Sequence, residues 1–125
     1  MIFDTDVLVW ALRGNPGAAR TIDAAADRAV SIVSLMELIQ GARSKLEVLR
    51  IRQSLRQLQF RILPLSEPIG TAAAAIIEKH ALSHGIQLAD ALIAATAVQA
   101  GDSLCTANIK NFRPVDSLSP VAFRP

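Results

Sequence analysis

The stretch Met1-Ile2-Phe3-Asp4-Thr5-Asp6-Val7-Leu8-Val9-Trp10 decides the fold, because an apolar run is broken there twice by carboxylates. One continuous strand would place Asp4 and Asp6 on the same face as Ile2 and Leu8, and one face cannot be both core and solvated. The strand is therefore expected to end at Asp4. Thr5 or Asp6 then caps a short helix from Val7 to about Leu12, its side-chain oxygen accepting from an unpaired amide of the first turn. Asp4 falls where a buried strand leaves the sheet, and in open α/β sheets that carboxyl edge is where ligands bind. The competing reading makes both aspartates turn and cap residues only.

Outward from this start, helices and strands alternate. Arg13-Gly14-Asn15-Pro16-Gly17 breaks the chain, and Ala18 to Arg28 resumes helical spacing. Ala29 to Val33 reads as a short β-branched strand running into Ser34-Leu35-Met36-Glu37, which has the spacing of a capping box that opens a helix to about Gly41. A helix from about Lys45 to Phe60 and a strand from Arg61 to Leu65 follow. Two alanine-rich helices, Ile69 to His84 and Leu88 to Ala100, are each stopped by a glycine. Ser103 to Thr106 reads as a strand, Asn108 to Phe112 as a turn, and Leu118 to Phe123 as an edge strand between prolines. Strands separated by helices pair in parallel through right-handed crossovers. The expected fold is α/β, one domain over residues 1–125, with a central, mostly parallel sheet of four to five strands flanked by helices.

In that fold the strand ends at Asp4, Val33 and Thr106 share one edge, which gathers Asp4, Glu37 and the segment Thr106-Ala107-Asn108. Asp90 stands near the amino end of an otherwise apolar helix, where a favourable helix dipole of about 0.3 to 1 kcal/mol is the simplest reason for an acid. If Asp4, Glu37 and Asp90 meet, each close pair repels by about 4 kcal/mol at about 4 Å in an effective dielectric near 20. Such a cluster needs protons or a cation. Hard oxygen ligands with no His or Cys beside them favour Mg2+ or Mn2+ over zinc. Such an ion orients a phosphodiester, activates a water and stabilises charge on phosphorus, so phosphodiester hydrolysis is the expected reaction.

Bulk properties agree with this without demanding it. The chain has 125 residues, 51% of them hydrophobic, enough for one core, and a net charge of +2. From Arg43 to Arg61 six basic residues, Arg43, Lys45, Arg50, Arg52, Arg56 and Arg61, meet the single acid Glu47. They are expected to form a basic helix face, which reads as merely solvated until phosphate contacts are shown and as an RNA-binding face if they are. The lone Cys105 allows no internal disulfide, and the amino terminus lacks a basic n-region. No uncharged run reaches membrane-spanning length. A soluble, cytoplasmic protein is expected. The chain carries no GxSxG elbow, CxxC, P-loop or GxGxxG fingerprint.

The segments Ile2-Phe3-Asp4-Thr5-Asp6-Val7-Leu8, Ser34-Leu35-Met36-Glu37-Leu38-Ile39-Gln40-Gly41, Leu88-Ala89-Asp90-Ala91-Leu92-Ile93-Ala94-Ala95 and Leu104-Cys105-Thr106-Ala107-Asn108-Ile109-Lys110-Asn111-Phe112 resemble, in order and spacing, those of PIN-domain ribonucleases. The likeness is strongest to the VapC toxins of prokaryotic VapBC toxin–antitoxin pairs. It implies a PIN-like three-layer sandwich in which Asp4, Glu37 and Asp90 are metal-binding catalytic acids, supported by Thr5, Asp6, Ser34 and Thr106. It also implies RNA cleavage with Mg2+ or Mn2+, homodimerisation, and inhibition by a small antitoxin protein. Many family members carry a fourth acid where this chain has Asn108, and neither Asp102 nor Asp116 matches that position. Asn108 is expected to act through a water, with weaker metal binding. Two other readings stay open: Asp4-Thr5-Asp6 also resembles the opening of haloacid-dehalogenase-like phosphatases, and a PIN-like module without activity would bind RNA or protein only.

Overall fold

The computed structural model describes all 125 residues. Five short strands, β1 (Ile2–Phe3), β2 (Ala29–Ser31), β3 (Arg61–Leu63), β4 (Leu104–Thr106) and β5 (Pro120–Ala122), form one sheet in the order β3-β2-β1-β4-β5. Every pairing is parallel. Ile2 lies opposite both Ala29 and Leu104, so the first strand is the central one.

Alternation along the strands sorts the core into two halves. Ile2, Ala29 and Leu104 face one side, where they pack with Ile69 and Ala73 of α5 (Glu67–His84) and with the wholly buried Ile93, Ala94 and Ala97 of α6 (Leu88–Ala100). Phe3, Val30 and Cys105 face the other, against Val7 and Leu8 of α1 (Thr5–Leu12), Ile22 of α2 (Pro16–Ala24), Leu35 and Leu38 of α3 (Ile32–Gln40), and Ile51 and Leu55 of α4 (Lys45–Gln57). The expected three layers are present, with a fully parallel sheet of five strands. A one-turn helix, α7 (Ile109–Phe112), stands where a turn was expected, and Phe112 drops into the α6 side of the core. Gly85 and Gly101 end α5 and α6 with φ of 66° and 63°, a left-handed conformation that glycine adopts without cost. No helix is long and apolar enough to cross a membrane.

Three local expectations change. β1 stops at Phe3, and the cap of α1 is Asp4 itself, which accepts from the Thr5 amide, rather than Thr5 or Asp6. The strand expected to reach Val33 ends at Ser31, whose hydroxyl accepts from the Val33 amide and caps α3. Ser34 and Glu37 are therefore not a capping box; both lie inside the helix, free to point elsewhere. α2 starts at Pro16, capped by Asn15, and ends at Ala24 rather than at Arg28.

Candidate active site

Strand register makes the first contact. Ile2 stands opposite Leu104, so two residues further on Asp4 stands beside Thr106, on the same face of the sheet. The Thr106 hydroxyl donates to Asp4 Oδ2 at 2.8 Å, and the Thr5 amide donates to Asp4 Oδ1 at 2.8 Å. Thr106 Oγ1 accepts in turn from the Asn108 amide at 2.9 Å, which leaves its single proton for the carboxylate. Asp4 is only 6% exposed. Burial pushes its carboxyl up from 3.8 to about 7; the charges of Asp6 and Asp90 add to the rise, and the Thr106 and Thr5 hydrogen bonds oppose it.

Asp6, on the first turn of α1, receives the Ala107 amide at 3.1 Å and 3.3 Å on its two oxygens. Its carboxyl is also raised by burial, against the pull of that amide. The end of β4 thus grips both aspartates of the opening stretch, Asp4 through the Thr106 hydroxyl and Asp6 mainly through the Ala107 amide, with Thr106 Oγ1 also 3.5 Å from Asp6 Oδ2.

Glu37 and Asp90 complete the group from two other elements. Thr5 Oγ1 lies 2.7 Å from Glu37 Oε1 and 2.9 Å from Ser34 Oγ. A carboxylate only accepts, so the Thr5 proton points at Glu37 and the buried Ser34 hydroxyl donates to Thr5. Asp90 Oδ2 accepts from Asn111 Nδ2 at 2.9 Å. Burial raises the Asp90 carboxyl first, and the charges of Glu37 and Asp6 raise it further. Four carboxylates, from the N-cap of α1, its first turn, α3 and α6, therefore gather at the carboxyl edge of the sheet, and none is in an ion pair.

No three His, Cys, Asp or Glu side chains close into a ready-made ligand set. A hydrated Mg2+ or Mn2+ suits what is present, since Mg2+ keeps several waters and uses one or two carboxylates rather than a complete protein cage. The donors are all hard oxygens. Raised carboxyls whose only protein partners are neutral donors are the electrostatic sign of a place that favours a cation.

The structure distributes the other expected residues less simply. A groove of about 560 Å³ opens beside the acids, sharing Thr5 and Glu37 with them and lined by the apolar Val9, Leu38 and Ile51, by Arg13 and Arg50, and by the acid Glu47. Arg52 and Arg56 border a separate hollow of about 220 Å³ with Leu35 and Phe60. Arg43 and Lys45 are exposed around the start of α4, and Arg61 is tied to Asp27 at the opposite edge of the sheet. The basic run is thus split between two sides instead of forming one face.

Asn108 is exposed and reaches the site only through its backbone amide on Thr106. The residue that touches an acid is Asn111, which sequence reasoning passed over. Its signal was its place directly before Phe112, a large apolar residue able to anchor a helical turn against the core.

The PIN domain family matches residues 1–118. Ribonuclease VapC10 of Mycobacterium tuberculosis is 36% identical over 126 aligned positions, covering 96% of this chain and 91% of that protein. Among solved structures, a toxin–antitoxin complex from Klebsiella pneumoniae contains a chain that superposes with a TM-score of 0.80 at 28% identity, covering 97% of this chain and 95% of that one. A chain of VapBC2 from Rickettsia felis, solved bound to a DNA fragment from its promoter, has the same fold, with a TM-score of 0.83 at 21% identity and coverage of 99% and 100%.

Proposed function

The chain belongs to the PIN-domain family, and from that premise we propose that it is an endoribonuclease dependent on Mg2+ or Mn2+ and the toxin of a toxin–antitoxin pair. It works as a single domain over residues 1–125. Family membership sets aside the dehalogenase-like phosphatase reading. The observation that carries the proposal is the unpaired acid group: Asp4, Asp6 and Asp90, each with a raised carboxyl, stand with Glu37 at a sheet edge where the protein supplies no cation.

In this reading Asp4, Glu37 and Asp90 hold the ion. When bound, the ion supplies a Lewis acid that orients the scissile phosphate and makes a water nucleophilic near neutral pH. The protein's own share is positioning. Thr106 and the Thr5 amide fix both oxygens of Asp4, and the Ser34–Thr5 relay fixes one oxygen of Glu37. Asp6 holds the end of β4 close to β1 through the Ala107 amide. Arg13 and Arg50 stand where an RNA backbone entering the groove would pass Glu37, which supports the basic residues of α4 as contributors to binding. A small antitoxin protein and a second copy of the chain are the protein partners this family membership suggests, the first of them supported by the toxin–antitoxin complex that the chain resembles.

The test is cleavage of a mixed RNA pool with Mg2+ or Mn2+, with chelator, and with Asp4→Asn, Glu37→Gln and Asp90→Asn in parallel. Loss of an outer partner of a metal ligand costs roughly 10- to 100-fold, and removal of a ligand should cost at least as much. Cleavage that survives chelation, or full activity in all three variants, would refute the proposal. Absence of turnover under every condition would leave the chain as a binding module.

A further inference from the structure

Building on the proposed cation site, we infer that Asn111 is a positioning residue of the acid group: its amide holds Asp90 in place and occupies the point at which another carboxylate would face it. Asn111 Nδ2 lies 2.9 Å from Asp90 Oδ2, and no other side chain donates to Asp90. The amide is oriented by its partner, because a carboxylate only accepts and the NH2 end must face it.

The contact is built from anchored parts. Phe112, the next residue, is 1% exposed, and Val115 is 5% exposed. Both sit in the same core as Ala91, Ile93 and Ala94, the residues that immediately follow Asp90 on α6. The turn carrying Asn111 and the turn carrying Asp90 are therefore pinned to one another by packing, and the hydrogen bond sets the remaining freedom of the carboxylate. Asn108, three residues earlier, turns outward and makes no such bond.

Two consequences follow from the chemistry of an amide at this point. It stabilises the Asp90 carboxylate without adding charge, and Asp90 goes on sensing the charges of Glu37 and Asp6. An aspartate at 111 would instead oppose Asp90 directly, destabilising the metal-free protein and attracting a divalent ion more strongly. Asn111 therefore sets the affinity of the site for its ion.

Two measurements test this on the full chain. In the first, Mn2+ is titrated calorimetrically into wild type, Asn111→Ala, Asn111→Asp and Asn108→Asp. We expect Mn2+ affinity to fall about tenfold in Asn111→Ala, as for loss of an outer partner, to rise in Asn111→Asp, and to change less in Asn108→Asp. In the second, the metal-free melting temperature at pH 8 is followed through a double-mutant cycle between positions 90 and 111. Asn111→Asp should lower it, and the exchanged pair Asp90→Asn with Asn111→Asp should recover it, because the amide then donates in the opposite direction. A packing role alone would not produce that recovery. Absence of coupling in the cycle overturns the inference. So does wild-type Mn2+ affinity in both Asn111 variants of a protein whose wild type binds Mn2+ and cleaves RNA; a wild type that binds no Mn2+ overturns the proposed function as well.

Discussion

Asp27 and Asp102 lie at the amino edge of the sheet, Asp4 and Asp6 at its carboxyl edge, and the chain partners the two pairs in opposite ways. Asp27 is met by Arg61, with Nε at 2.9 Å and Nη2 at 2.7 Å, and Asp102 is met by the amino-terminal ammonium at 3.0 Å. The Arg61 hydrogen bond holds the Asp27 carboxyl below its ordinary range. Asp4 and Asp6 receive only amides and a hydroxyl, and burial raises both. Water solvates the exposed Asp27 well and the half-buried Asp102 in part, so cations there are worth less than beside a buried carboxylate, which is costly without one. Folding stability alone would assign the partners the other way round. The carboxyl edge instead leaves its buried acids without a cation from the chain, the feature on which the proposed cation site rests.

The contrast is broken most forcefully by pH. The Asp4 carboxyl titrates at about 7 in the fold against 3.8 as its ordinary value. Because the folded value is the higher one, its contribution to stability is fully present below about 3.8 and is lost as pH rises through about 7. The loss is on the order of 4 kcal/mol by linkage. Asp6 and Asp90 shift in the same direction and add to it. Chemical denaturation of the metal-free protein between pH 4 and pH 8 should show stability falling across that range, and Asp4→Asn should flatten the fall. A smaller effect sharpens the same point. Thr106→Val removes the hydroxyl that donates to Asp4 and accepts from the Asn108 amide, and should cost about 1 to 3 kcal/mol at pH 8. It should also raise the Asp4 carboxyl further, readable as a higher midpoint in a carboxyl-resolved NMR titration. The smallest effect belongs to the other edge: Asp27→Asn, which loses an exposed ion pair, should leave melting temperature and RNA cleavage close to wild type.

The carboxyl-edge side of this contrast was legible in the sequence. Two aspartates in an apolar strand, and helices alternating with short strands, were enough to place Asp4 at a parallel sheet's carboxyl edge, with Glu37 and Thr106 beside it. What escaped depends on contacts between distant segments. Ile32 and Val33 are β-branched and read locally as strand, yet packing draws them into the first turn of α3, so the cap moved to Ser31. That shift placed Ser34 three residues inside the helix, where it supports Thr5 and, through it, Glu37. Asn111 was hidden for the same kind of reason, since its partner is 21 residues away. The basic run was misread by geometry rather than by distance: Arg50 and Arg52 are separated by about 200° around a helix and cannot share a face.

The most direct test of the comparison is calorimetric titration of Mn2+ into wild type, Asp4→Asn and Asp27→Asn at pH 8 under identical salt. Wild type and Asp27→Asn should bind with the same affinity, while Asp4→Asn should bind at least about tenfold more weakly, as expected when a ligand charge is removed. Equal binding by Asp4→Asn and wild type, or a loss of affinity in Asp27→Asn as large as that in Asp4→Asn, would contradict the assignment of the carboxyl edge as the cation site.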